Sequence, residues 1–316
     1  MKKFILGLVI CCSIGFGASV VYADEVVSEV NSGMDMTLGE IEDVLMAYLK
    51  EQGLDYSLHS KELSDYLYDQ LTSSSDQELT KLDEYDNILA YAAEYIYLET
   101  LPEEDGKIST IEESYDMTLA DVKEIVDEEN LESAQTASEQ ENSGPRISPR
   151  GVWSNNHVSN YARTFGTRPN PAYNNYDGRG GDCTNFASQA LRAGGAKDGI
   201  TGYPGYIDWS SKRTSQGLKD SAAWINADAF RQYWQVKGRS VRRYSNRNDV
   251  NKNAQLGDIL NYANKKTGRS WHNAVVTDKL NGNIYISQHS TNRTNWNWNS
   301  ISLSLNDNYV YIIRAI

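Results

Sequence analysis

Apolar positions change their period several times along the chain. An uncharged apolar run from Phe4 to about Val21 follows Lys2 and Lys3 and ends at Val21-Tyr22-Ala23, just ahead of Asp24 and Glu25. A charged start, an apolar middle and a small-residue site predict a cleaved secretory signal over residues 1–23 rather than a spanning helix. Ile10 stands where a lipid-modified Cys11 would need a small residue, so no lipid anchor is expected. From there to about residue 130 the spacing is helical. Thr37-Leu38-Gly39-Glu40 fits a capping box, and Ile41, Val44, Leu45, Tyr48 and Leu49 follow on one face. A second helix starts at Ser60 with Leu63, Leu67 and Leu71 inward. A third, from about Ser75, carries Leu79, Leu82, Tyr85, Leu89, Ala92 and Ile96. Asp35-Met36-Thr37-Leu38 recurs as Asp116-Met117-Thr118-Leu119, which suggests a duplicated helix start, although two copies are too few for a solenoid.

Residues 131–150 have almost no large apolar side chains and contain Gly144, Pro145 and Pro149, so a linker is predicted there. Helical patterns return at Val158–Phe165, Thr184–Ala193 and Ala222–Gln235. Strand patterns then take over, including His272–Asp278, Ile284–His289 and Tyr309–Ile313. Helices followed by an antiparallel sheet argue for an α+β domain. The chain therefore divides into a signal peptide (1–23), an acidic helical region (24–130), a linker (131–150) and a catalytic domain (151–316). No second apolar segment reaches spanning length, so a secreted protein, loosely associated with the cell wall, is expected.

Charge sharpens that division. Residues 24–144 carry 33 acidic side chains against 5 basic ones, whereas residues 145–316 carry 10 against 23. All 7 Trp lie in the second part. An acidic region beside a basic domain suggests an intramolecular partner, either an inhibitory pro-region or a spacer that repels an anionic wall. The plainer reading, a solvated helical bundle with no specific role, is preferred. The acids show no EF-hand spacing, and neither a metal, a cofactor nor a nucleic-acid partner is expected.

Signal cleavage would leave Cys183 as the sole thiol of an exported chain, which suggests a reactive cysteine. Its setting, Gly178-Arg179-Gly180-Gly181-Asp182-Cys183-Thr184-Asn185-Phe186, puts a glycine turn before a helix. Asp182 suits an N-cap, so Cys183 falls at the exposed helix tip, where the helix dipole favours thiolate. Gly180 and Gly181 leave room for a substrate backbone, and the first-turn amides are candidate oxyanion donors. Of His59, His157, His272 and His289, the last two flank Asn281-Gly282, a strong hairpin signal. With Leu280 paired to Asn283, counting outward sets Ala274 opposite His289 and His272 opposite Thr291. His272 and His289 then share a face as diagonal neighbours about 7 Å apart. His272 is the expected base and His289 the group that orients it. Asp278 shares the face but lies about 20 Å along the strand.

At these residues the chain resembles the putative amidase domain family, placed in the papain-like superfamily near the NlpC/P60 and CHAP domains. The resemblance rests on Asn170-Pro171-Ala172-Tyr173, Gly181-Asp182-Cys183-Thr184-Asn185-Phe186-Ala187-Ser188-Gln189 and Gly194-Gly195. Further along it rests on Gly257-Asp258-Ile259, His272-Asn273-Ala274-Val275-Val276 and Ile286-Ser287-Gln288-His289. It covers about residues 153–316 and leaves the acidic region unexplained. It implies a papain-like, NlpC/P60-like α+β domain with helices on an antiparallel sheet, and amide hydrolysis by a Cys–His–polar triad of Cys183, His272 and His289. Gly181, Asp182 and Tyr173 are the candidates for substrate or oxyanion contacts. With a basic catalytic domain, the favoured partner is peptidoglycan or another peptide-bearing wall polymer. A secreted protease or transamidase acting on proteins, and a catalytically silent wall-binding module, are the alternatives.

Overall fold

The computed structural model describes residues 33–102, 110–142, 153–200, 208–215 and 217–315. The signal peptide reading falls outside them. Four helices come first: α1 (Leu38–Glu51), α2 (Lys61–Ser73), α3 (Tyr85–Glu99) and α4 (Leu119–Asn142). Thr37 closes the expected capping box with Glu40, and the Ser60 hydroxyl accepts the Leu63 N–H to start α2. The third helix starts later than its apolar spacing suggests, because Leu79–Lys81 form a separate 3-10 turn. The two recurring segments meet: Thr37 and Thr118 form an antiparallel bridge, with Leu38 N–H on Met117 O (2.8 Å) and Leu119 N–H on Met36 O (3.1 Å). The repeat thus joins the starts of α1 and α4.

Helices α5 (Asn155–Phe165), α6 (Cys183–Ala193), α7 (Ala222–Ile225), α8 (Ala227–Val236) and α9 (Arg247–Asn253) belong to the second part. Asn226 splits the expected Ala222–Gln235 helix, because its extended backbone ends α7 while its side chain caps α8. Two small ribbons, β1 (Gly199–Ile200) with β2 (Asp208–Trp209) and β3 (Ser211–Thr214) with β4 (Gly217–Asp220), are separate from the main sheet. The main sheet comprises β5 (Ser240–Tyr244), β6 (Ile259–Asn264), β7 (Ser270–Leu280), β8 (Asn283–Gln288), β9 (Arg293–Asn297) and β10 (Asn308–Arg314). Its order is β5-β10-β6-β7-β8-β9, antiparallel throughout, so the chain is α+β.

Both faces of this sheet are covered. On one, Ile259, Val275 and Ile313 pack with Val158, Phe186, Leu191 and Phe230 of α5, α6 and α8. On the other, Tyr262, Trp271, Ala274 and Val276 share a single apolar core with Leu63, Leu67, Tyr91 and Ile96 of the acidic helices. The described residues from Gly33 onward therefore form one compact unit rather than two separate domains. The linker reading is corrected over residues 131–142, which are the second half of α4. The composition misled because α4 docks there through polar groups. Ser133 is buried on Gln232, and Asn130 accepts from Arg231. Arg269 anchors the seam, its guanidinium on Glu94 (2.8 Å), Glu129 (3.0 Å) and Asp228 (3.4 Å). Among the described residues, no helix is long and apolar enough to cross a membrane.

Candidate functional site

Cys183 is the first residue of α6, as its glycine turn predicts, but it is not an exposed tip: only 2% of it reaches solvent. Nor does Asp182 cap the helix. Its carboxylate accepts instead from Tyr176 N–H (2.9 Å), Asn185 Nδ2 (2.8 Å) and His289 Nδ1 (2.6 Å). The space freed by the glycines is filled by the acidic helices. Gly181 has φ +104°, and a Cβ on it would stand 2.6 Å from Tyr68 Oη and 2.5 Å from Ser290 Oγ. The Cys183 sulfur lies 3.5 Å from Tyr68 Oη and 3.7 Å from Thr184 Oγ1, against the backbone N–H of Asn273. Burial pushes the thiol above its ordinary value; the Tyr68, Asn273 and Thr184 bonds offset this only in part.

The Asn273 contact sets the sulfur against the backbone of β7, where His272 is the preceding residue. The His272 ring lies against Tyr262 (5.3 Å between centroids), Trp271 (5.6 Å) and, edge-on, Tyr68 (6.0 Å). It is 1% exposed, and neither ring nitrogen makes a hydrogen bond, to Cys183 or to any other group. Burial lowers its pKa to about 3, so it is a neutral imidazole at physiological pH. The side chain that works against this drop is Gln288, whose Oε1 is likewise buried and unpartnered. The two orphaned groups are neighbours that fall short of hydrogen-bond geometry.

His289 is not that neighbour. The hairpin begins as expected, with Leu280 opposite Asn283, Lys279 opposite Ile284, and positive φ at Asn281 and Gly282. The register then shifts between Val276 and Asp278, leaving Thr277 as an extra residue, so Val275 faces Ser287. Continuing from there, Ala274 falls opposite Gln288 where a bulge-free count puts His289. A one-residue slip turns every later side chain to the opposite face of the sheet. His289 consequently stacks on Phe186 of α6 (4.2 Å), with Nδ1 on Asp182 and Nε2 on Phe165 O (2.7 Å). Burial works to lower its pKa, but the Asp182 and Phe165 bonds outweigh it and the net shift is upward. His289 braces the turn that carries the sulfur, and Gln288 takes the place beside His272.

The remaining candidates separate as clearly. Tyr173 stacks on Trp224 (6.0 Å) under Arg192, which belongs to the last turn of α6 whereas Cys183 begins it. Gly181 stays in contact with the site, while the Asp182 N–H is taken by Ser290 Oγ (3.0 Å) and is not a free oxyanion donor. Tyr68 was invisible to motif reasoning, since it lies 115 residues from Cys183 on what looks like an ordinary amphipathic helix. No group of metal-binding side chains occurs among the described residues.

Cys183, His272 and Gln288 all fall within the stretch of the chain that a family model covers. The model of the putative amidase domain matches residues 153–313. The chain belongs to that family. The chain is also similar to the uncharacterized protein YjcM of Bacillus subtilis (strain 168), 36% identical over 143 residues, 43% of this chain and 30% of that protein. The uncharacterized protein YhbB of the same organism is 32% identical over 125 residues, 39% of this chain and 37% of that protein. The chain thus spans about a third of the length of these curated relatives. No solved structure matches it.

Proposed function

We propose that this amidase-family chain is an exported cysteine hydrolase that cleaves amide bonds in peptide-bearing cell-wall polymers, with a papain-like, NlpC/P60-like catalytic half. The observation that carries the reading is the Cys183 sulfur at the start of α6, held against Asn273 N–H next to His272. In the proposed reaction the sulfur attacks the amide carbonyl carbon while His272 takes the thiol proton. The C–N bond then breaks as that proton passes to the leaving amine. Water, deprotonated by His272, hydrolyses the thioester and restores the thiol. Gln288 Oε1, which neighbours His272 without a hydrogen bond in the fold described here, would accept from the ring as it turns to the substrate, fixing its tautomer and stabilising the imidazolium. The apolar run at residues 4–21 supports export, and the excess of basic over acidic side chains after residue 145 supports an anionic polymer as substrate.

The test is release of new amino termini from purified peptidoglycan by the full chain, with products identified by mass spectrometry. Cys183→Ala should lower the rate at least about a thousandfold, since removing a nucleophile leaves only the residual catalysis of the site. An undiminished rate in that variant would sink the cysteine mechanism. Cleavage of a protein substrate with intact peptidoglycan would replace the wall polymer by a polypeptide.

A further inference from the structure

The nucleophile of this reading is shut in. Cys183 and His272 are both buried, and the residue that closes them off is Tyr68, itself 3% exposed and contributed by α2. Its hydroxyl lies 3.5 Å from the sulfur and donates to Trp271 O at 3.3 Å, while its ring stands edge-on to His272. A cleft of about 300 Å³ runs between α2 and the cysteine turn, lined by Lys61, Ser64, Asp65, Asp177 and Ser290 among others. Tyr68 and Gly181 belong to its wall, and Cys183 does not. A carbonyl entering this cleft meets the tyrosine before the sulfur.

We propose that α2 is a gate over the site and Tyr68 its bolt, so that the fold described here is a latent form whose sulfur becomes reachable when Tyr68 withdraws. The proposal rests on Cys183 being the nucleophile and adds how access to it is controlled. Three observations support a movable α2 on a fixed layer. First, among the described residues the ion pairs that fasten the helical layer to the sheet come from α3 and α4, through Glu94 and Glu129, whereas the one α2 ion pair, Lys61–Asp65, is internal. Second, both ends of α2 carry a non-glycine residue in left-handed backbone, His59 (φ +59°) before its cap and Ser74 (φ +47°) after it. Such strained terminal residues are where hinges absorb a change of dihedral angle. Third, only a glycine at position 181 leaves room for the Tyr68 hydroxyl, so the turn before the nucleophile is shaped to receive the bolt. The closed form also keeps the dyad neutral, with the thiol above its usual value and the imidazole below.

The experiment follows carbamidomethylation of Cys183 by iodoacetamide in the folded full chain, using peptide mass spectrometry so that other thiols do not interfere. In the wild type the rate should be at least about tenfold below that of the same chain unfolded in urea, because reaction waits on local opening. Tyr68→Ala should raise it about tenfold or more and raise amide hydrolysis with it. Tyr68→Phe keeps the ring and should stay within about threefold of wild type. A wild-type thiol that reacts as fast folded as unfolded overturns the gate, and does so even if Tyr68→Ala fails to fold. A folded Tyr68→Ala that stays slow overturns it as well. Faster alkylation without hydrolysis by either protein supports the gate and removes the hydrolase reading, so the two fail separately.

Discussion

Replacing His289 by phenylalanine separates a structural role for this residue from a catalytic one. The variant keeps an aromatic ring to stack on Phe186 and removes two polar contacts, to Asp182 Oδ2 (2.6 Å) and to Phe165 O (2.7 Å). Both partners of the first contact are almost fully buried, so solvent screens it little. A hydrogen bond to a charged group contributes roughly 1.5–3 kcal/mol and a neutral one about 0.5–1.5, giving a loss of about 2–4 kcal/mol. For a unit of this size that lowers the melting temperature by roughly 3–7 °C. The pH dependence has a defined sign. Because the folded pKa of His289 lies above its ordinary value, its charged-pair contribution is fully present below about pH 6.5. That contribution disappears as pH rises through the raised folded value. Circular dichroism melts from pH 5.5 to 9 should therefore show a gap between wild type and variant that is widest at the acid end and narrows upward. A gap under about 2 °C at pH 6, or one that widens with pH, would refute this account. Loss of hydrolysis at an unchanged melting temperature would return His289 to the place beside His272.

Two further outcomes follow from the same geometry. Gln288→Leu removes the oxygen facing His272 while filling its volume, and should lower kcat about 10–100-fold with KM little changed, because a misplaced base costs on that order; steady-state kinetics on a soluble wall peptide would check it, and an unchanged kcat would rule Gln288 out as the positioning residue. Arg269→Met strips the guanidinium from Glu94 and Asp228, both buried, and should destabilise the protein by about 3–5 kcal/mol; urea unfolding should remain one transition for the helices and the sheet together, and a helical layer that melts first would contradict the shared core.

Much of the local structure could be read from the chain, because it is set by near neighbours. The Thr37 capping box, the Ser60 cap with Leu63 and Leu67, the start of α6 at Cys183 and the turn at Asn281-Gly282 all depend on residues within a few positions. What escaped depends on distant partners. The bulge at Thr277 carries no glycine to announce it, and Ala274-Val275-Val276 is apolar on both faces, so no alternation marks the slip. The bulge is held from elsewhere: Thr277 Oγ1 contacts Asn295 (3.0 Å) and the Tyr285 carbonyl (3.3 Å). That one residue exchanged Gln288 for His289 at the site. Tyr68 escaped because α2 is an unremarkable amphipathic helix until its docking partner is known. The second half of α4 looked like a linker because its docking contact is polar, and a hydrophobic ruler does not register Ser133.

The single core shared by the acidic helices and the sheet has a practical consequence for how the family is sampled. The family match begins at residue 153, whereas the compact unit begins at Gly33. A fragment trimmed to the match would expose Tyr262, Trp271 and Val276 to water and leave Arg269 without Glu94 and Glu129. Such a fragment should be sticky and poorly expressed, and its silence in an activity screen would say little about the full chain. Where relatives carry different sequence ahead of the domain, that segment is the place to look for whatever covers the same sheet face.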